Sequence, residues 1–382
     1  MTGFDLSIGR PDAPLHAAAH SHHPWPDVSF AAQQEAWADA ARLLDGKWDH
    51  VFGTIIPQAQ AHIARQLSLP DPATIAFGPN THGFVLRLLS CLPADTRPRI
   101  LTTDSEFMSF SRQIARLEDD RLVSVTRVPT EPFNTFEERF TRAARTGEHN
   151  FVFFSQVFFN SGFALRDIAA IVDAVPTDEA LIVIDGYHGF MAIPTDVSSI
   201  ASRAFYLAGG YKYAMAGEGA CFLHCPPGYG PRPRDTGWYA GFGSLGAAAG
   251  EVGYARDGSR FLGATFDVTA LYRFNAAQNW LASEGLSVSV MLDRVRDLER
   301  ALLRELDRLR APIGSSKLIV RDEKNRGRFL AFETPRAADL VAQLASRNVI
   351  VDHRGNRLRV GLGIYHDAEG VDRLARAIVD CG

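Results

Sequence analysis

Two residues at the ends of apolar runs carry the strongest chemical signal in the sequence. In "LIVIDGYHGF", Asp185 closes such a run and His188 follows shortly after it. In "FYLAGGYKYAMAGEGACFL", Lys212 follows Gly209, Gly210 and Tyr211 and precedes Tyr213, with no further charge until Glu218. A lysine in apolar, aromatic company loses solvation, so its amine pKa falls toward the range where it acts as a nucleophile. The competing readings are a solvated surface lysine and a phosphate loop. A phosphate loop needs Ser or Thr after its lysine, and Tyr213 stands in that place. A dinucleotide fingerprint fails too, because it belongs to the first strand–helix turn of a domain. Asp185 taken alone reads equally as the cap of the next turn or as a carboxylate facing a ligand, and a strand-end Asp could also ligate magnesium.

Two weaker signals precede these. In "FGPNTHGFVLRLL", Thr81 stands where a strand-turn gives way to a helix. A hydroxyl and free backbone N–H groups at a helix N-terminus suit a phosphate, although plain N-capping by Asn80 or Thr81 explains the same residues. In "DSEFMSF", Phe107 follows another strand end. It either stacks on a planar ring or packs in the core. The order of the parts is more telling than any one of them: phosphate-type turn, aromatic, Asp with His close behind, then lysine. A pyridoxal-phosphate enzyme needs these parts, since a lysine holds the cofactor, a carboxylate pairs with the pyridine nitrogen and a helix N-terminus holds the phosphate.

The elements that must position these groups follow from the alternation of patterns. "TIAFG", "RILTT", "LVSVTRV", "NFVFFSQVFF" and "ALIVID" are near-continuous apolar strands. Between them lie the amphipathic stretches "HGFVLRLLSCL", "FMSFSRQIARLED", "FNTFEERFTRAAR" and "LRDIAAIVDAV". Such alternation predicts an α/β domain with a mainly parallel sheet buried on both faces, and ligands bind at the carboxyl ends of such strands. After the Pro/Gly-rich "PPGYGPRPRDTGWYAGFG", a helical pattern runs from about Leu271 to Leu309. The strand and helix patterns "RFLAFET", "AADLVAQLASR", "RLRVGLG" and "GVDRLARAIVD" then predict a small C-terminal α+β domain.

With these residues in place, the sequence resembles the class V aminotransferase superfamily, of pyridoxal-phosphate fold type I, and within it the kynureninase branch. "IDGYHGFMAIPTDV" resembles the family's Asp-x-x-His segment, "GGYKY" its kynureninase lysine motif, and "RILTTDSEFMS" its strand ending in Phe-Pro-Ser, with Met108 in place of the proline. The resemblance implies that Lys212 and Asp185 are catalytic. It assigns cofactor binding to them together with Thr81, His82, Phe107, His188 and Tyr211. "TGWYAGFG" resembles the Gly-Trp segment that follows the family's lysine and "FLGATFD" the Gly-Thr turn that reaches a neighbouring subunit's phosphate, which would make Trp238 and Thr265 contributors across a homodimer interface. "VIVDHRGNRLRVGLGIYH" resembles the substrate-binding end of the family, where Arg359 would take the α-carboxylate in its guanidinium fork. The implied organisation is an N-terminal segment (1–45), a large cofactor-binding domain (46–265) and a linking helix with the small domain (266–382). The segment "LHAAAHSHHPWP" departs from the kynureninase pattern. It reads as a polar entrance loop; a metal site at His16, His20, His22 and His23 is the alternative.

Composition sets the outer limits. Net charge is −4, which gives no footprint for nucleic acid. No apolar run approaches the roughly 20 residues that cross a bilayer. The start of the chain lacks the pattern of a signal peptide, and Cys91, Cys221, Cys225 and Cys381 fall in no disulfide or zinc spacing, so a cytoplasmic protein is expected. The functions left in play are kynureninase-like hydrolysis of L-kynurenine or a relative, transamination or carbon–sulfur lysis of another amino acid, and a relative that only binds. A cysteine desulfurase is disfavoured, because no cysteine lies between Cys225 and Cys381 near the predicted carboxylate-binding arginine.

Overall fold

The computed structural model describes residues 3–176, 179–227, 232–244 and 252–382, so 228–231 of the Pro/Gly-rich connection lie outside the described residues. Strand β1 (Leu15–His16) is followed by helices α1 (Val28–Leu43), α2 (Lys47–His50) and α3 (Ile56–Leu67). Then come β2 (Ile75–Gly78), α4 (Thr81–Ser90), β3 (Arg99–Thr103), α5 (Met108–Asp119) and β4 (Ser124–Val128). These lead to α6 (Phe136–Ala144), β5 (Phe151–Ser155), α7 (Ile168–Asp173), β6 (Leu181–Asp185), β7 (Ala204–Gly209) and β8 (Cys221–His224). Helices α8 (Thr269–Ser283) and α9 (Val288–Arg308) precede β9 (Leu330–Glu333) and α10 (Ala337–Ala345). The chain ends with β10 (Val349–Ile350), β11 (Asp352–Arg354), β12 (Arg357–Val360) and α11 (Ala368–Val379).

The large sheet has the order β2-β8-β7-β6-β5-β3-β4. Strands β3 to β7 pair in parallel, whereas β8 runs antiparallel to both of its neighbours. The apolar runs explain why it is buried on both sides. Side chains alternate along a strand, so Val152, Phe154, Ile182 and Ile184 join one core cluster while Phe151, Phe153, Leu181 and Val183 join the other. Phe84, Val85 and Leu88 of α4 and Phe110 and Ile114 of α5 cover the second face; Phe136 and Phe140 of α6 cover the first. "TIAFG" therefore forms a strand as expected, but at the sheet edge and antiparallel to its partner β8.

The helical pattern read as continuous from Leu271 to Leu309 is two helices. Gly285 takes φ +66°, and the Ser287 hydroxyl accepts the Val290 N–H as an N-cap. A glycine in the left-handed region followed by a serine cap is a stop and a start. Beyond α9, a three-stranded sheet of order β11-β12-β9 forms, with α10 and α11 between and after its strands. The N-terminal segment is tied to this end of the chain: β1 pairs in parallel with β10, and Ala18 bridges Gly361. That pairing carries His20 and His22 to the carboxyl ends of the large sheet's strands.

Candidate active site

A cavity of about 260 Å³ opens where β5, β6 and β7 end, against the N-terminus of α4. Thr81, Phe107, Asp185, His188, Tyr211 and Lys212 all line it, so six of the ten residues singled out in the sequence meet in one place. Pro79, Asn80, Ser155, Phe159, Tyr187, Glu218, Gly219 and Cys221 complete the lining.

Lys212 sits just past the end of β7, where the glycines before it serve close packing. A β-carbon on Gly209 would lie 2.6 Å from both Cys221 Sγ and Tyr187 Oη, and one on Gly210 would lie 2.8 Å from Ala216 Cβ. These glycines let the turn pass beneath the cavity. The Lys212 Nζ donates to the backbone carbonyl of His20 at 3.1 Å and lies 5.8 Å from the centroid of the Tyr187 ring. Loss of solvation, reinforced by the positive Arg359, lowers its pKa to about 7, against the opposing pull of Asp352 and Asp185. The amine is thus largely neutral just above neutral pH and charged below it. Covalent capture of pyridoxal phosphate by the apoprotein should accelerate about tenfold from pH 6 to pH 8, following the neutral fraction of a group with that pKa. Stopped-flow absorbance checks this; a rate that stays flat until pH 9 would show a solvated lysine.

Asp185 closes β6. Its Oδ1 accepts the Tyr187 N–H at 2.8 Å, and no hydrogen bond among the described residues claims Oδ2. Burial raises its pKa to about 6, while the Tyr187 N–H and Lys212 favour the anion. His188 is 6% exposed, and its Nε2 is buried with no hydrogen-bond partner. Burial first, then the nearby Lys212 and Arg359, hold it well below the ordinary histidine range, so it stays neutral. At the other side, Asn80 caps α4 by accepting the Gly83 N–H at 2.9 Å, which leaves Thr81 as the first helical residue facing the cavity. Phe107 meets Phe159 edge-on at 5.4 Å. The Tyr211 hydroxyl lies 2.8 Å from His22 Nδ1.

Four predicted residues lie elsewhere. His82 is in the first turn of α4 but outside the cavity lining, with Nδ1 buried and unpartnered. Trp238 Nε1 donates to Thr265 Oγ1 at 3.0 Å, and neither lines the cavity of its own chain. Arg359 is 1% exposed and lies behind the lining. Its Nε donates to Asp352 Oδ1 at 2.7 Å, its Nη2 bonds Asp352 Oδ2, and its Nη1 bonds the Phe159 carbonyl. The fork predicted to take a carboxylate therefore already holds one.

The segment read as an entrance loop does reach the site, through residues whose roles there had no sequence signal. His20 supplies the carbonyl on Lys212, stacks on Phe329 at 4.6 Å, and places its Nε2 3.0 Å from Asp352. The four entrance histidines are engaged one by one: His16 Nδ1 with the Tyr365 hydroxyl, His20 with Asp352, His22 with Tyr211 and His23 Nδ1 with the Pro24 carbonyl. No group of His, Cys, Asp and Glu suited to a metal ion occurs among the described residues. Cys221 lines the cavity at the start of β8, where burial pushes its thiol up to about 11.

The residues present fit pyridoxal phosphate. Asp185 offers an unclaimed carboxylate oxygen at the end of its strand, His188 an unpartnered buried ring nitrogen, α4 an N-terminus for an anion, Phe107 a ring face, and Lys212 an amine poised to react.

Comparison with known proteins adds an independent line. A family model described as Aminotransferase class-V matches residues 45–374. The solved structure of the cystine C–S lyase C-DES with its reaction product cysteine persulfide is similar with a TM-score of 0.78 and 17% identity, covering 96% of this chain and 97% of that one. A variant of C-DES with glycine covalently linked to its PLP cofactor gives 0.80 and 16%, covering 99% of both chains. The cysteine desulfurase CsdA from Escherichia coli gives 0.77 and 16%, covering 99% of this chain and 97% of that one. At such identities the likeness is one of fold. No curated protein sequence matches significantly.

Proposed function

This chain belongs to the aminotransferase class-V family and is a pyridoxal-phosphate-dependent enzyme; from that premise we propose that it cleaves the side chain of an α-amino acid, with L-kynurenine as the leading substrate and an aromatic acid and L-alanine as products. The observation that supports the kynurenine reading is the aromatic lining beside the lysine that the cofactor does not claim: Phe159 and Tyr187 share one cavity with Lys212. An aromatic side chain gains both burial and edge-to-face contacts there.

When bound, pyridoxal phosphate supplies the electron sink that lets a bond next to the amino group break. The chain's own groups bind, orient and move protons around it. The N-terminus of α4, with Thr81 and Tyr211, would hold the phosphate. Phe107 would stack on its ring, Asp185 would keep its pyridine nitrogen protonated, and neutral His188 would offer Nε2 as a hydrogen-bonding partner. The Lys212 Nζ would hold the cofactor covalently, and as a free amine with a pKa of about 7 it would take up and return a proton. Arg359 receives the α-carboxylate through the two N–H groups that Asp352 and Phe159 leave free, or by displacing Asp352. Trp238 and Thr265, bonded to each other outside their own cavity, serve the cavity of a second copy in a homodimer.

Carbon–sulfur lysis is the second reading. C-DES, similar in fold over 96% of this chain, is a cystine C–S lyase. Persulfide storage on this protein's own cysteine is disfavoured, since Cys221, the cavity-lining thiol, is held protonated and lies 3.6 Å from the Tyr187 hydroxyl. Product analysis of the holoenzyme separates the readings. With L-kynurenine, anthranilate fluorescence and alanine are expected. Persulfide with pyruvate and ammonia from L-cystine, with no turnover of kynurenine, would replace the first reading with the second; a keto acid that keeps the whole side chain and forms only with an added acceptor keto acid would point to transamination.

A further inference from the structure

Behind the cavity lies a carboxyl group to which none of the roles above assigns a task. Glu106, next to Phe107, is 3% exposed. Its Oε1 accepts the Thr103 hydroxyl at 2.6 Å and the Ser155 N–H at 3.2 Å, and its Oε2 lies 2.5 Å from Ser155 Oγ. Ser155 ends β5, pairs across the sheet with Asp185 at the end of β6, and lines the cavity. The Glu106 carboxyl thus touches the cavity through one hydroxyl.

The groups facing Glu106 are Thr103 from β3, Ser155 from β5 and, from β6, the carboxylate of Asp185. Asp104, its neighbour in the chain, is occupied with the Thr130 N–H and the hydroxyls of Thr130 and Ser105. No salt bridge among the described residues reaches Glu106. Two buried carboxylates of like charge that feel each other's field disfavour double ionisation. Asp185 has Lys212 and the Tyr187 N–H to hold its charge, whereas Glu106 has only neutral partners.

We propose that Glu106 is a positioning residue held as a neutral acid: its Oε2–H donates to Ser155 Oγ, and the Ser155 hydroxyl hydrogen is thereby turned into the cavity as a donor to bound pyridoxal phosphate. An ionised Glu106 would draw that hydrogen back to itself and turn the lone pairs of Ser155 toward the cavity instead. Burial, the largest influence on Glu106, raises its pKa to about 7, with Asp185 adding to the shift and the Ser155 and Thr103 hydrogen bonds opposing it. The proposal rests on the cofactor reading given above.

Glu106→Gln mimics the neutral acid, since its amide N–H donates to Ser155 and its carbonyl accepts from Thr103 and the Ser155 N–H. Infrared difference spectra of apoprotein at pH 6, wild type minus E106Q, should show the C=O stretch of a protonated carboxylic acid. Equilibrium binding of pyridoxal phosphate should be equal in the two proteins at pH 6 and about tenfold tighter in E106Q at pH 8.5, the worth of one hydrogen bond. Ser155→Ala should bind about tenfold more weakly than wild type at pH 6. A missing acid band, or E106Q binding more weakly than wild type at pH 6, overturns the role of Glu106 while leaving cofactor binding intact. Wild-type apoprotein that takes up no pyridoxal phosphate refutes the cofactor reading and this role with it. If E106Q does not fold, the pH titration of the acid band in wild type and the S155A affinity decide the matter.

Discussion

Lys212→Ala is expected to lose the visible absorption band of the holoenzyme and to lower turnover by about 10³-fold or more, the range for removing a positioned acid–base group that is also the covalent anchor. The fold should survive. Among the described residues Lys212 forms no salt bridge, and its Nζ bonds only the His20 carbonyl. Removing a desolvated amine with a pKa of about 7 breaks no ion pair and takes from Asp185 only a through-space attraction, so the thermal midpoint of the apoprotein should stay within a few degrees. Lys212→Arg sharpens the test. It keeps the positive charge, but a guanidinium stays protonated at any working pH, so it cannot supply the neutral amine that the pKa of about 7 makes available to lysine. If charge alone mattered, arginine would rescue; on the present reading both variants lack the band of the lysine-bound cofactor and are inactive. A coloured and active K212A would remove the residue from the mechanism.

Why this lysine could be found without a structure is a matter of local chemistry. Near-continuous apolar strands have one stable use, a sheet covered on both faces, and the ends of its parallel strands are where ligands bind. Asp185, Phe107 and Lys212 each stand at such an end in the sequence, so their meeting follows from topology alone. Thr81 and Asn80 were legible for the same reason, as a turn entering a helix. What stayed hidden depends on long-range packing. His20 reaches Lys212 only because β1 pairs with β10 at the far end of the chain. Asp352 sits in the Arg359 fork through the register of β11 on β12, and two-residue alternation says nothing about which carboxylate faces which cation. Glu106 looks like any polar loop residue until burial is known. The break between α8 and α9 was readable, since Gly285 and Ser287 are a standard stop and start, but the apolar periodicity on either side masked it.

Asp185→Asn carries the other large effect, and it pulls stability and activity in opposite directions. In the apoprotein Asp185 has its pKa raised by burial from 3.8 to about 6. A group whose folded pKa lies above its unfolded value binds protons more readily in the folded state. It therefore contributes most to stability below about pH 4, and that contribution is lost as pH rises to about 6. At neutral pH the buried anion is a net cost, on the order of 3 kcal/mol for a shift of about two units, and less to the extent that the cavity is wet. The isosteric amide removes that cost, so D185N apoprotein should melt above wild type at pH 7 and at the same temperature near pH 4. Pyridoxal phosphate should reverse the order. A protonated pyridine nitrogen gives the carboxylate the partner it lacks, so wild type should gain more from the cofactor than D185N, and turnover of D185N should fall about 10²–10³-fold for loss of a preorganised charge. Melting curves with and without cofactor at two pH values, together with one rate measurement, test all of this. Equal melting of the two apoproteins at pH 7 would mean that water reaches the carboxylate. Equal turnover would mean that Asp185 caps the Tyr187 turn and does no more.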